Sequence, residues 1–156
     1  MFLISQNKKL LNVSFYDTFK GANGKFNMKE YRGSAGPVAW RSEAFPAERY
    51  LCVMHKVYIG GDGRRYYHRF MTLDKDLKPS RVSSFVRMTK EKVEYWSGMC
   101  CSLDGNSYWI TYGLKDSEGY IAELESSNIE ELLFYSFEGE GSMLPAQKRF
   151  EVLAKY

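Results

Sequence analysis

The sequence predicts an all-β fold with one or two short helices near the C-terminus, and three observations carry that expectation. Apolar and aromatic residues come in short runs, each closed by Gly, Asn or Asp in a turn context. Almost no stretch reads as helix. Aromatic residues are abundant, with 12 Tyr, 10 Phe and 3 Trp, or 16 % of the chain, and aromatic residues favour strands. Their faces also stack on the apolar C–H faces of sugars, but a β-sheet core accounts for most of them.

The elements follow in order. Met1–Ser5 and Leu10–Tyr16 read as short strands around the turn Gln6-Asn7-Lys8, and Phe19–Lys29 reads as loop. Tyr31-Arg32-Gly33-Ser34-Ala35-Gly36-Pro37 is a small-residue loop leading into Val38–Trp40. Its glycines let a backbone pass close to a ligand, or let the chain turn a corner. Tyr50–Ile59 and Arg64–Leu73 form a hairpin closed by Gly60-Gly61-Asp62-Gly63. After a turn at Asp74–Ser80, Arg81–Met88 is a further strand.

Val93–Ala122 organises the rest. Val93–Ser102, Tyr108–Gly113 and Tyr120–Glu123 read as three strands. Asp104-Gly105-Asn106 is a hairpin signal, because Gly and Asn tolerate positive φ. The loop Leu114–Gly119 puts Lys115, Asp116 and Glu118 at a strand end, a common setting for a polar site. Glu125–Asn128 offers an N-cap to a helix Ile129–Leu133 with Glu130 and Glu131 in its first turn. Phe134–Phe137 reads as strand or helix end, Glu138–Gly141 as loop, and Gln147–Ala154 as a short helix or, through Phe150, Val152 and Leu153, equally as a strand.

Composition narrows the function. With 156 residues, 44 % apolar and 26 % charged, the chain suits one folded domain, 1–156, with a real core. No apolar run approaches the roughly eighteen residues of a membrane span, and the N-terminus lacks the pattern of a signal peptide. A net charge of +3 is scattered rather than gathered in a stripe, so neither a nucleic-acid nor a membrane partner is expected. Cys52, Cys100 and Cys101 form no disulfide framework or metal spacing, so reduced, buried thiols, a cytoplasmic location and no metal or cofactor are expected. No P-loop, Gly-x-Gly-x-x-Gly or Gly-x-Ser-x-Gly occurs.

The candidate site comes from the hairpin and its neighbours. Both histidines, His55 and His68, fall on the two strands of one hairpin, with Arg69 beside them and Arg32 on the preceding segment. That set reads either as an anion or polyol site or as structural histidines in a core. The strand groups, about forty residues each, fit propeller blades as well as a sandwich.

Several segments resemble the mannoside phosphorylases, five-bladed β-propellers that cleave β-mannosides with phosphate or water. Gly33-Ser34-Ala35-Gly36-Pro37-Val38 and Tyr50–His55 resemble their Gly-x-Gly-x-Pro-Pro-Ile loop and Leu-Leu-Ile-Tyr-His strand. Tyr66–Asp74, Ser97-Gly98 and Tyr112-Gly113-Leu114-Lys115-Asp116 resemble elements that follow in the same order. The form of these motifs is nearer still to propeller domains associated with glycosyltransferases. The likeness covers roughly residues 30–124.

The resemblance implies a partial β-propeller of about three blades of antiparallel sheet, matching the second half of the family domain. It implies a phosphate-holding role for His55, sugar contact for Asp116 and a place at the same mouth for Arg32. Tyr67 stands where the family has a phosphate-binding arginine, and the family's Asp-Pro-Arg general acid has no counterpart. The expected ligand is a glycan or sugar phosphate, held by Arg32, His55, His68, Arg69, Glu94, Tyr112 and Asp116, with a second chain or upstream segment completing the ring. Inverting hydrolysis would need two carboxyl groups roughly 6.5–9.5 Å apart, and Glu94 with Asp116 are the candidates for that pair. A non-catalytic glycan module for a glycosyltransferase needs no acid, and a structural or protein-interaction domain needs no site at all.

Overall fold

The structure is a computed structural model, and it describes residues 2–4, 28–83, 85–133 and 135–136. Alternating burial along the strands builds two sheets. The strand expected at 10–16, the loop from 19 to 27, the loop at 138–141 and the helix at 147–154 lie outside the described residues.

In chain order the strands are β1 (Phe2–Ile4), β2 (Arg32–Ala39), β3 (Glu48–Gly60), β4 (Gly63–Asp74), β5 (Pro79–Val82), β6 (Glu94–Cys101), β7 (Ser107–Leu114), β8 (Glu118–Glu125) and β9 (Tyr135–Ser136). A 3₁₀ turn, Met28–Glu30, precedes β2, and α1 (Ser126–Leu132) follows β8. One sheet runs β1-β8-β7-β6 and the other β2-β3-β4-β5-β9. All neighbours are antiparallel except β1 beside β8. The all-β expectation holds, and the described residues form two open sheets.

Two expectations are corrected. The small-residue segment 31–37 is strand, not loop. Ala35 turns into the core, and the pairing of β2 with β3 slips at Gly33/Ala35 and again at Ala35/Val38. Gly36, at φ +84°, explains why the segment is small: a Cβ there would sit 2.8 Å from the Leu51 carbonyl oxygen. The close approach is to β3, not to a ligand. The helix starts at Ser126 rather than Ile129, and Glu125 precedes it without a capping hydrogen bond. Ser126 instead donates its hydroxyl to the Gly105 carbonyl, 3.2 Å away, which ties the helix start to the β6–β7 turn.

The core lies between the sheets. Trp40, Leu51, Val53 and Phe70 from one side meet Trp96, Tyr108, Ile110 and Leu124 from the other, closed by Ile129 and Leu132 of α1. Tyr108 donates its hydroxyl to the Ala39 carbonyl at 2.9 Å, satisfying the polar end of a buried ring. The far face of β3–β4 carries a second cluster, Met54, Met71, Leu73 and Val82. The thiols are free, but none is fully buried as expected: Cys100 is exposed and Cys101 partly so. Cys52 is half-buried, and desolvation pushes its thiol up to about 11.

Candidate functional site

Strand alternation decides which side chains can meet. His55 and His68 are direct cross-strand partners, and Tyr66 opposite Val57 and Arg64 opposite Ile59 continue the same face. That face looks toward β6. Arg32 on β2 pairs with His55 from the other side. Arg69 and Tyr67 belong to the opposite face, so Arg69 does not join the imidazoles. It is buried there, with Nη1 donating to the Ser83 carbonyl at 2.6 Å and its guanidinium 3.9 Å from the Phe85 ring centre.

The edge strand β6 lies over this face, and its open edge is closed at one peptide. The Trp96 N–H donates to His68 Nε2 at 3.2 Å, and the Trp96 carbonyl accepts from the Ser34 hydroxyl. The His68 ring stacks on the Trp96 indole, centroids 4.7 Å apart and 7° from parallel. Because Nε2 accepts, the imidazole is neutral, with its proton on Nδ1. Burial, then His55 and Arg87 nearby, lower its pKa to about 3. His68 is thus a structural stitch between the sheets.

Glu94 is equally engaged. It is fully buried, and its carboxylate accepts from the Met88 N–H at 2.8 Å, the Thr89 N–H and hydroxyl at 2.7 Å and the Trp96 indole N–H at 2.8 Å. Four donors leave no room for a substrate proton, so Glu94 organises the 88–93 loop rather than acting as acid or base. Tyr112 is also buried, its ring stacked on Tyr120 at 5.4 Å. Burial, with Glu94 and Tyr120 nearby, raises its hydroxyl pKa.

Toward the β3–β4 turn the same face opens. His55 lies 5.2 Å from Tyr95 and 5.8 Å from Tyr66, centroid to centroid, and the two tyrosines are 5.7 Å apart. Both tyrosines are half-buried. His55 is 5 % exposed, and its Nδ1 has no partner. Burial and then the Arg32 charge lower its pKa, so it too is neutral at pH 7. Arg32 is exposed and has no carboxylate partner among the described residues.

Asp116 stands at the rim, on the β7–β8 turn. Lys115 and Asp116 both have positive φ, +54° and +56°, where Gly or Asn is usual. The Lys115 N–H donates to the Val93 carbonyl at 2.9 Å, and its ammonium lies 3.1 Å from Glu91. The turn holds Asp116 3.8 Å from Arg64, with both side chains more than half exposed. Backbone strain of this kind collects where a group must be presented.

Of the seven residues expected at the site, Arg32 and Asp116 are exposed, and His55 is buried as the cross-strand partner of Arg32. His68, Glu94 and Tyr112 are interior, and Arg69 faces away. The sequence reading missed Arg64, Tyr66 and Tyr95. The period-two series Arg64, Tyr66, His68 was the signal for the first two; Tyr95 depends on how β6 crosses the other sheet, which no local pattern encodes. Among the described residues no three His, Cys, Asp or Glu gather as a metal site, and no helix is long and apolar enough to cross a membrane. No family model matches the chain, and no curated protein matches its sequence.

Proposed function

We propose that this chain is a non-catalytic carbohydrate-binding module that takes a glycan or sugar phosphate at the rim formed by Arg32, His55, Arg64, Tyr66, Tyr95 and Asp116. One observation carries the reading: Arg32, Arg64 and Asp116 stand exposed, Arg32 without a carboxylate partner among the described residues, whereas Glu94 a few ångströms deeper is held by four donors. The half-buried Tyr66 and Tyr95 rings offer apolar faces to a sugar. Arg32 and Arg64 donate to hydroxyls or phosphate and Asp116 accepts, while His55 lies just beneath, its ring beside Tyr66 and Tyr95. Glu94 is held by four donors, so a two-carboxylate cleavage is not supported.

The resemblance to the mannoside phosphorylases supports the same reading, and with it a propeller-type arrangement. The run β2-β3-β4-β5 is a four-stranded up-and-down sheet of the kind that makes a blade, and β6-β7-β8 is a three-stranded one. Binding to a glycan array, and to aryl mannosides and mannose 1-phosphate in solution, tests the proposal. Binding without sugar release, weakened at least tenfold by Asp116→Asn, supports it. Absence of binding, or binding that Asp116→Asn leaves intact, removes it.

A protein-interaction role is the second reading. It draws on apolar side chains left in solvent at two hairpin tips: Ile59, 81 % exposed, and Leu103, fully exposed.

A further inference from the structure

We infer that the tip of the β3–β4 hairpin pairs edge to edge with the same hairpin of a second copy of this chain. The inference begins with an unequal treatment of two edges. β3 and β4 are 13 and 12 residues long, well beyond their neighbours. The pairing of β2 with β3 stops at Arg32↔His55, so among the described residues the outer half of the hairpin has no strand beside β3.

Alternation says which groups are left there. His68 exchanges both backbone hydrogen bonds with Val86, and the Tyr66 N–H donates to the Lys92 carbonyl, so both turn away from β3. Their partners His55 and Val57 therefore turn their own N–H and C=O toward the β2 side, and Ile59 repeats the pattern. At His55 the groups meet Arg32. At Val57 and Ile59 they meet no strand among the described residues, and the Ile59 side chain is 81 % exposed.

Natural sheets blunt such edges with proline, bulges or a covering loop. β2, the outer strand of this sheet, carries Pro37 and two register breaks. The segment Val57-Tyr58-Ile59 carries neither proline nor charge. It is an edge left open to a strand.

The segment is complementary to itself. Antiparallel pairing about a two-fold axis at Tyr58 sets Val57 of one copy against Ile59 of the other. Both are residues whose backbone groups point outward, so four hydrogen bonds form. Two Val–Ile cross-strand contacts then cover the exposed isoleucines. Tyr58, 42 % exposed, meets its own counterpart on the other face. The same register carries the Gly61-Asp62 turn of each copy toward the start of β2 in the other, where Asp62 stays paired with Arg65 and Lys92 of its own chain. Pairing of this kind keeps the faces of the joined sheets aligned, so both rims open on the same side.

Sedimentation of the full chain across a concentration series, with reductant present, tests this. The expected result is a concentration-dependent doubling of mass. Val57→Pro should abolish it and leave the melting temperature unchanged, because the Val57 N–H makes no bond with a described strand of its own chain. Amide exchange gives a readout without substitution: the Val57 and Ile59 amides should gain protection as concentration rises. A monomer at every concentration overturns the inference, and so does a dimer that survives Val57→Pro, or exchange at these amides that ignores concentration. The sugar reading is tested separately, since monomeric Val57→Pro keeps the whole rim and should bind mannosides as before.

Discussion

His55 and His68 sit opposite each other on one hairpin, share a face and are both neutral at pH 7 by burial, yet they do different work. His68 has a backbone N–H on Nε2 and an indole against its ring. Both rings leave a buried Nδ1 without a partner, and His55 has around it two half-buried tyrosines and an exposed arginine. The difference extends to the carboxylates: Glu94 is held by four donors inside, and Asp116 stands at the rim beside Arg64. Two rings about 6 Å apart show that burial alone does not mark a functional residue. What separates the two regions is whether the fold itself supplies the partners.

The sharpest way to break the comparison is at Glu94. Glu94→Ala strands buried N–H donors and opens a cavity, so a loss of about 3–5 kcal/mol is expected in urea unfolding. A loss under about 1 kcal/mol would mean the carboxylate is not the anchor of the 88–93 loop. His68→Ala follows, at about 2–4 kcal/mol, because the Trp96 N–H loses its acceptor and the indole its stacking surface. By contrast, Arg32→Ala should leave the unfolding midpoint unchanged while weakening sugar-phosphate binding.

pH sharpens the same contrast. An unfolded-chain imidazole titrates near 6.5, whereas His68 in the fold stays neutral down to about 3. Between those values the unfolded state holds the extra proton, so stability rises with pH. His68 therefore contributes fully above about 6.5, and its contribution is lost as pH falls toward 3. His55, lowered by burial and by Arg32, acts in the same direction. Denaturant midpoints from pH 7 to pH 4 should fall, and the fall should be shallower in His68→Gln. An equal slope in both proteins would remove His68 from the account.

The smallest expected effect is at the rim. Lys115 occupies a left-handed conformation that glycine adopts without strain. Lys115→Gly should gain about 0.5 kcal/mol of stability while loosening the turn that presents Asp116, so sugar binding should weaken as the melting temperature rises.

Much of the fold was legible because its signals are local. Gly60–Gly63 and Asp104–Asn106 mark hairpins by backbone preference, and the flanking apolar runs mark strands. The segment from Arg32 to Ala39 was not legible, because its glycines, serine and proline read as loop. Gly36 is small because the Leu51 carbonyl is close, which is a tertiary fact. The site was legible in part for the same reason. His55, Arg32 and Asp116 stand out as residue types in strand-end settings. Whether a histidine or glutamate is engaged depends on the chain that crosses it, and the crossing of β6 over β4 separates His68 from His55 and Glu94 from Asp116.

The most direct measurement uses the fact that the chain has two histidines. Imidazole NMR signals can be followed while mannose 1-phosphate or an aryl mannoside is added at pH 7. The account predicts that the His55 signals shift and saturate, that the His68 signals stay in place, and that Asp116→Asn weakens the response. Movement of His68 alone, or of neither ring at saturating ligand, would contradict it.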